Sequence, residues 1–355
     1  MLVAVRMKMT KTTSPKLQER LREIIENRVV LVTGGSGSIG SEIVRQLIPY
    51  RPRYLRIYSR DEYKQSLLRS EFRDHPFLRY LLGDVRDLDR LKRAVEDVDV
   101  LFHAAALKRV EATEYDPFEA VQTNVIGTQN VIVAALESGV DRVVSISTDK
   151  AVNVTSTMGA TKLLAERLIS WASFYRREPH KVFCSVRFGN VLDSRGSVIP
   201  LWREQIRRGE PVTLTHPEMR RFFMSIPEAV HLVLQGAARA EGGEIFVLRM
   251  KSVFIRDLAD VIIEEMAPQF GRDPKDVSIR LIGVTPGEKL DEDLLAPGEI
   301  ERTFYVDEDM GVIVPPHRFK EFKGKSLRSF DGYATGTNSL TREELRAYLK
   351  EAQIV

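Results

Sequence analysis

The sequence predicts an α/β fold: a doubly wound parallel sheet with a smaller C-terminal lobe. Three observations predict it. Short, continuous apolar segments of strand length alternate with helical segments through about residue 190, the pattern of parallel strands buried on both faces. The first of these strands runs directly into a glycine-rich turn and then a helix. Beyond residue 190 the alternation gives way to loops in which arginines and small polar residues gather among glycines and prolines. The expected division is an N-terminal helical extension (1–27), a main domain (28–190) and a lobe (191–355) with some segments returning to the sheet.

The elements follow in order. Ser14-Pro15 opens KLQERLREIIENR, an N-capped helix with Leu17, Leu21, Ile24 and Ile25 on one face. It should pack on the main domain or on a neighbouring subunit. Val29 to Thr33 is a buried strand, followed by Gly34-Gly35-Ser36-Gly37-Ser38-Ile39-Gly40 and the helix SEIVRQLI. Gly34 suits the tight turn, Gly37 lets the backbone approach a pyrophosphate, and Gly40 lets the helix pack close to the strand. The helix N-terminus offers free N–H groups and a partial positive charge. Gly34, Ser36, Gly37, Ser38, Ile39 and Gly40 are therefore candidate dinucleotide contacts.

The second strand, Tyr54 to Tyr58, ends in Ser59-Arg60, with Lys64 one turn later. An acid at this tip would hold a ribose 2′-hydroxyl. Ser59, Arg60 and Lys64 instead suit a 2′-phosphate, so NADP is expected over NAD. Strand three (Leu78 to Leu82) delivers Asp84, an acceptor for an adenine amino group, and Val85, an apolar contact for the ring. Strand four (Val98 to Phe102) ends in His103 and then Ala104, Ala105 and Ala106, whose small side chains leave room for a cofactor. His103, among apolar neighbours, reads as a satisfied core histidine. Lys108 lies beyond the strand, within reach of a phosphate or sugar. A long helix from Pro117 to Ser138 contains Asn124, expected to hydrogen-bond inward to the backbone of the site.

The chemistry concentrates in Val143 to Lys162. A buried strand ends in Thr148, Asp149 and Lys150, and a polar turn leads to a helix that starts near Ser156 and carries Met158 and Lys162. Residues four apart share a helix face, so Met158 and Lys162 see the same surroundings. Asp149 and Lys150 lie just past the carboxyl end of their strand, where ligands bind in open parallel sheets. An acid beside an amine there reads as a proton-transfer pair. A strand from Val182 to Phe188 and the polar loop Gly189 to Pro200 follow, and Thr341 with Glu344 caps a last helix.

Composition excludes several classes. A net charge of +3 on 355 residues, without basic runs, does not argue for nucleic acid. No segment reaches the roughly 18 apolar residues of a membrane helix. The one cysteine, Cys184, sits in the apolar run VFCSVRF and reads as a buried thiol. Neither disulfides nor a metal site is expected, which fits a reducing cytoplasm.

Taken together, TGGSGSIG, SRDEYKQ, HAAALKRV, NVIGT, STDKAVN with MGATK, RFGNVLDSRGSVIP, RRFFMS and PGEKLDEDL resemble the extended short-chain dehydrogenase/reductases. More narrowly, they resemble the CapD-like polysaccharide-biosynthesis group, the inverting UDP-N-acetylglucosamine 4,6-dehydratases. The resemblance covers about residues 28 to 350. It implies a Rossmann-type domain holding NADP and a lobe gripping a UDP-N-acetylhexosamine. It also implies C4 oxidation, C5 deprotonation, loss of water from C6 and hydride return. On that reading Lys150 is the C5 base, Asp149 the acid at the C6 oxygen, and Lys162 binds the nicotinamide ribose. A neutral Lys150 is needed, expected from partial burial beside Lys162. Asn190, Arg195 and Arg221 would hold the diphosphate and uridine, with Lys108, Val198, Thr213 and Glu288 as further substrate contacts.

Met158 departs from the wider superfamily, which has a tyrosine there as the C4 base. Methionine carries no proton, so Thr148, or Asp149 through water, is the candidate. Val154 and Glu111 also depart from the usual residues. An epimerase of the same family, acting on UDP-N-acetylhexosamines, is the alternative outcome. A non-catalytic NADP-binding protein is the distant one, opposed by the intact Asp149, Lys150 and Lys162. A symmetric homo-oligomer is the default expectation.

Overall fold

The computed structural model describes residues 14–175, 181–320, 322, 324, 326–327 and 332–355. Residues 1–13 of the N-terminal extension lie outside these. The strands are β1 (Val29–Thr33), β2 (Tyr54–Ser59), β3 (Leu78–Leu82), β4 (Val100–His103), β5 (Arg142–Thr148), β6 (Val182–Phe188), β7 (Asn190–Val191), β8 (Val212–Leu214), β9 (Arg220–Met224), β10 (Ile245–Leu248), β11 (Lys251–Phe254), β12 (Ile279–Leu281), β13 (Thr303–Tyr305) and β14 (Met310–Ile313). The main sheet has the order β13-β14-β10-β6-β5-β4-β1-β2-β3. From β3 to β10 every pairing is parallel, while β14 and β13 close the far edge antiparallel. The order reverses between β1 and β4, so the crevice for a ligand opens at their carboxyl ends. β10, β13 and β14 come from beyond residue 191, so the lobe's chain re-enters this sheet.

The helices are α1 (Pro15–Ile25), α2 (Ser38–Leu47), α3 (Glu62–Glu71), α4 (Leu88–Val95), α5 (Val110–Tyr115), α6 (Pro117–Ala120), α7 (Gly127–Glu137), α8 (Thr157–Tyr175), α9 (Val198–Arg208), α10 (Ile226–Arg239), α11 (Ile255–Met266) and α12 (Arg342–Glu351). α1 buries Leu17, Leu21 and Ile25 against α10 and the turn at 48–50, so the extension packs on its own domain. The expected long helix at Pro117 is instead α6, a π-helical turn at Val121–Ile126, and α7. The widened turn carries Asn124, whose amide turns inward: Oδ1 accepts from the Leu107 N–H at 2.8 Å and Nδ2 donates to the Leu107 carbonyl at 3.0 Å. π-turns inside helices commonly mark functional sites.

The lobe has its own core. Trp202 and Ile206 of α9, Leu214, Phe223, Val261 and Ile262 of α11, and Leu345 and Leu349 of α12 pack together there. Its small sheets, β11-β9-β7 and β12-β8, place the carboxyl side of β6 beside segment 285–293. Among the described residues no helix is long and apolar enough to cross a membrane.

Candidate active site

The glycine turn forms a tight cradle at the β1/β4 crevice. Gly34 has φ +64°, and a Cβ there would lie 2.7 Å from the Ala105 nitrogen; one on Gly40 would lie 2.2 Å from the Gly34 carbonyl. Only hydrogen side chains let strand, turn and α2 come this close. Gly37 is the N-cap of the ten-residue α2, with Ser38 and Ile39 in its first turn. Ser36 Oγ donates to Ser59 Oγ at 2.9 Å, tying the cradle to the tip of β2. Arg60 is 56% exposed and lies 3.5 Å from Asp84. The Asp84 carboxylate also accepts from the Arg86 guanidinium at 2.8 and 3.0 Å, so it is already committed to two arginines. Lys64 is paired with Asp61, which also caps α3. Val85 is buried and packs against Gly127. Thr33 and Thr128 hydroxyls engage both ring nitrogens of His103 at 2.8 and 3.1 Å, and burial, with Lys162 adding, drops its pKa to about 3. It is a neutral core histidine.

Asp149 and Lys150, the expected proton-transfer pair, lie at the end of β5. Asp149 and Lys150 form a 3₁₀ turn, Asp149–Ala151, and Asp149 is fully buried. Asp149 Oδ1 accepts from Thr148 Oγ1 at 2.8 Å and from Lys150 Nζ at 3.0 Å. Among the described residues nothing donates to its other oxygen. Lys150 Nζ also donates to Asn190 Oδ1 at 3.3 Å. α8 presses on this turn through Gly159, where a Cβ would lie 2.2 Å from the Lys150 carbonyl. One turn further on, Lys162 Nζ donates to the Ile146 carbonyl at 2.6 Å, and Met158 is buried beside it.

The electrostatics reverse one expectation. Burial lowers the pKa of Lys162 to about 8, with Glu166 opposing. Lys150 goes the other way. Burial lowers it, but the charges of Asp149 and Glu292 outweigh that, and its pKa is raised. The expectation of a depressed Lys150 beside Lys162 is therefore corrected: carboxylates, not a second ammonium, are its close neighbours.

A small cleft above the pair is lined by Lys150, Asn190, Arg221 and Glu288, together with Ser156, Lys289 and Glu292. The structure thus brings Asn190, Arg221 and Glu288 to Lys150. Arg221 spends one guanidinium nitrogen on the Arg220 and Leu290 carbonyls, and Glu288 accepts from the Thr285 N–H. Lys108 is not among the residues lining this cleft; its Nζ donates to Ser194 Oγ at 3.3 Å. Arg195 is placed differently: its guanidinium donates to the Ser36 carbonyl and its N–H to Ser38 Oγ, so it lies on the glycine cradle. Thr213 is not among the cleft's lining residues, and its hydroxyl accepts from Gln205 Nε2 at 3.0 Å. Val198 opens α9 and is not among the cleft's lining residues. Lys289 and Glu292 also line the cleft; both stand in PGEKLDEDL, where spacing alone does not single them out. Behind the site, Arg187 of β6 is fully buried and donates to Glu166 of α8, to Glu299 and to the Leu294 carbonyl.

Comparison with known proteins adds relatives. A family model described as polysaccharide biosynthesis protein matches residues 30–313. A Methanocaldococcus jannaschii protein named only as an uncharacterized membrane protein is 54% identical over 82% of this chain and 86% of its own. The inverting UDP-N-acetylglucosamine 4,6-dehydratase of Campylobacter jejuni is 38% identical over 89% of this chain and 94% of its own. The capsular polysaccharide biosynthesis protein CapD of Staphylococcus aureus is 45% identical over 78% of this chain, but only 46% of CapD is spanned. The X-ray structure of Pen from Bacillus thuringiensis, 41% identical, superposes with a TM-score of 0.88 over 93% of this chain and 99% of that one. With the parallel sheet and its crevice, these matches establish that the chain belongs to the CapD-like polysaccharide biosynthesis family of extended short-chain dehydrogenase/reductases.

Proposed function

We propose that the protein is a nucleotide-sugar dehydratase that converts UDP-N-acetylglucosamine by a C5-inverting 4,6-elimination of water. The observation that carries this reading is the buried Asp149–Lys150 pair at the carboxyl end of β5, its atoms 3.0 Å apart. A dehydratase relative and a CapD relative support the substrate class. The cradle of Gly34, Gly37 and Gly40 fits a nicotinamide dinucleotide, since the backbone approach there leaves no space for side chains. When bound, that cofactor supplies the hydride acceptor for C4 and the hydride donor for C6.

The chain's own residues then divide the proton work. Asp149 and Lys150 share one proton along their hydrogen bond. Moving it from Lys150 Nζ to Asp149 yields a neutral amine and a protonated carboxyl. Those are the forms that C5 deprotonation and departure of the C6 hydroxyl require. The raised pKa of Lys150 is thus compatible with a basic role, because moving the proton to Asp149 leaves a neutral pair, which burial favours over the ion pair. Lys162 holds the nicotinamide ribose, and Thr148 or Asp149 takes the C4 hydroxyl proton in place of Met158. Asn190, Arg221 and Lys108 hold the diphosphate. The test is incubation with UDP-GlcNAc in D₂O, followed by mass and NMR. The expected product has lost water, carries deuterium at C5 and is inverted there. Deuterium uptake without dehydration would favour an epimerase instead.

NADP is the cofactor we propose, on Ser59 and Arg60 at the tip of β2. Lys64 contributes less than its position suggests, since Asp61 already pairs with it. Arg60→Ala is expected to weaken NADP binding by about 10- to 100-fold, the worth of a charge-assisted phosphate contact, while NAD binding changes little. Calorimetric titration with both dinucleotides checks this, and equal losses would remove Arg60 from the 2′-phosphate.

A further inference from the structure

Glu292 reaches the proton-transfer pair from a distant part of the chain. It is 2% exposed. Its Oε1 lies 3.7 Å from Lys150 Nζ and its Oε2 lies 2.9 Å from Lys289 Nζ. It therefore stands between two ammonium groups. Lys289 is fastened in turn to the catalytic turn: Nζ donates to the Val152 carbonyl at 2.9 Å and to the Asn153 carbonyl at 3.4 Å. Glu292 is held by its own backbone, whose N–H donates to Thr335 Oγ1 at 3.1 Å.

We infer that Glu292 is a positioning residue that sets where the Lys150 proton resides, and that Lys289 is the counter-charge limiting its effect. This rests on the reading of Lys150 as a proton-transfer group. The charged groups facing Lys150 are Asp149 from its own turn, Arg221 from β9, and Glu288, Lys289 and Glu292 from segment 285–293. Asp149 and Glu292 hold the proton on Lys150, and Arg221 pushes the other way. The step the reaction needs moves that proton from Lys150 to Asp149. Glu292 resists it, because its charge favours the ammonium. Lys289 lessens the resistance by neutralising Glu292 from the far side. The pair thus tunes how readily Lys150 becomes a base without touching the sugar itself.

The signs separate this from simple scaffolding. Glu292→Gln removes a negative charge, so Lys150 releases its proton at lower pH. Lys289→Met strips Glu292 of its counter-charge, so Lys150 keeps its proton to higher pH. Loosening of segment 285–293 would move both variants the same way. The experiment is ¹³Cε-lysine NMR titration of the full-length protein with NADP bound, the Lys150 signal being identified by its loss in Lys150→Arg. Glu292→Gln is expected to lower the Lys150 midpoint by about one pH unit or more, the usual effect of an ion within 4–6 Å. Lys289→Met should raise it, and Lys289→Arg should restore it. An unmoved midpoint in Glu292→Gln, or shifts of one sign in both variants, overturns the inference. The alkaline limb of kcat with UDP-GlcNAc should follow the midpoint. A midpoint that moves while that limb stays put also overturns it. If the wild type does not turn over UDP-GlcNAc, the substrate reading fails, and the substrate-free titration still decides the role of Glu292.

Discussion

Lys150→Ala is expected to lower kcat by about 10³-fold or more, within the range for losing a general acid–base group, while NADP stays bound. The amine donates to Asp149 and Asn190, and among the described residues no other ammonium pairs with the buried Asp149 carboxylate. Without it, Asp149 is left as a buried carboxyl with only Thr148 donating to it. The base is then gone, and Asp149 has lost its cationic partner. Lys150→Arg separates two roles. Arginine keeps the positive charge but does not release a proton near neutrality. If Lys150 serves only as a counter-ion, the arginine variant retains most activity. If it is the base, both variants fail alike. Steady-state turnover of UDP-GlcNAc, with calorimetric binding of NADP as the folding control, makes the distinction. Activity within tenfold of wild type in the alanine variant would exclude Lys150 from the chemistry.

How legible each part was depends on how far its causes lie along the chain. The cradle was readable because strand, glycines and helix are contiguous, and their packing demands appear as glycine spacing. The capped helix at Thr341 was readable for the same reason, and the structure shows its capping box. The break at Val121–Ile126 was not, since apolar periodicity runs across it and the inward pull on Asn124 comes from Leu107. The placement of Arg195 and the charges that face Lys150 were not readable for another reason. The partners of these two residues lie about 150 residues away in sequence, at Ser36 and Glu292, and no spacing rule reports that. Two signals could have been read sooner. Asp61 three residues before Lys64 is a helix-capping pair that also occupies the lysine. Arg187 in the otherwise apolar VFCSVRF required buried counter-charges somewhere.

Those counter-charges carry the largest expected effect on stability. Arg187 is fully buried and is clamped by Glu166 at 2.7 and 2.9 Å and by Glu299 at 2.7 and 3.1 Å. Arg187→Met should destabilise the protein by about 3–5 kcal/mol at pH 7, because it strands two buried carboxylates. The pH dependence identifies the cause. Burial alone would raise Glu299, but hydrogen bonds and charge from Arg187 hold it below the ordinary carboxylate value. Its contribution is therefore complete above the unfolded pKa, about 4.3, and is lost as pH falls through the lower folded value. In the variant Glu299 loses that charge and binds a proton more readily, so the deficit narrows as pH drops towards and below about 4.3. Adding Glu166→Gln and Glu299→Gln to Arg187→Met should recover part of the loss at pH 7, since no ion is then left unpaired. Denaturant titrations at pH 7 and pH 4.5 measure both effects, and a deficit independent of pH would assign the loss to packing alone. Turnover should fall with stability, because Arg187 also holds the Leu294 carbonyl at 2.9 Å, two residues beyond Glu292. A buried triad built on β6 of the main sheet is thus linked, through the Leu294 carbonyl, to the segment whose carboxylate faces Lys150.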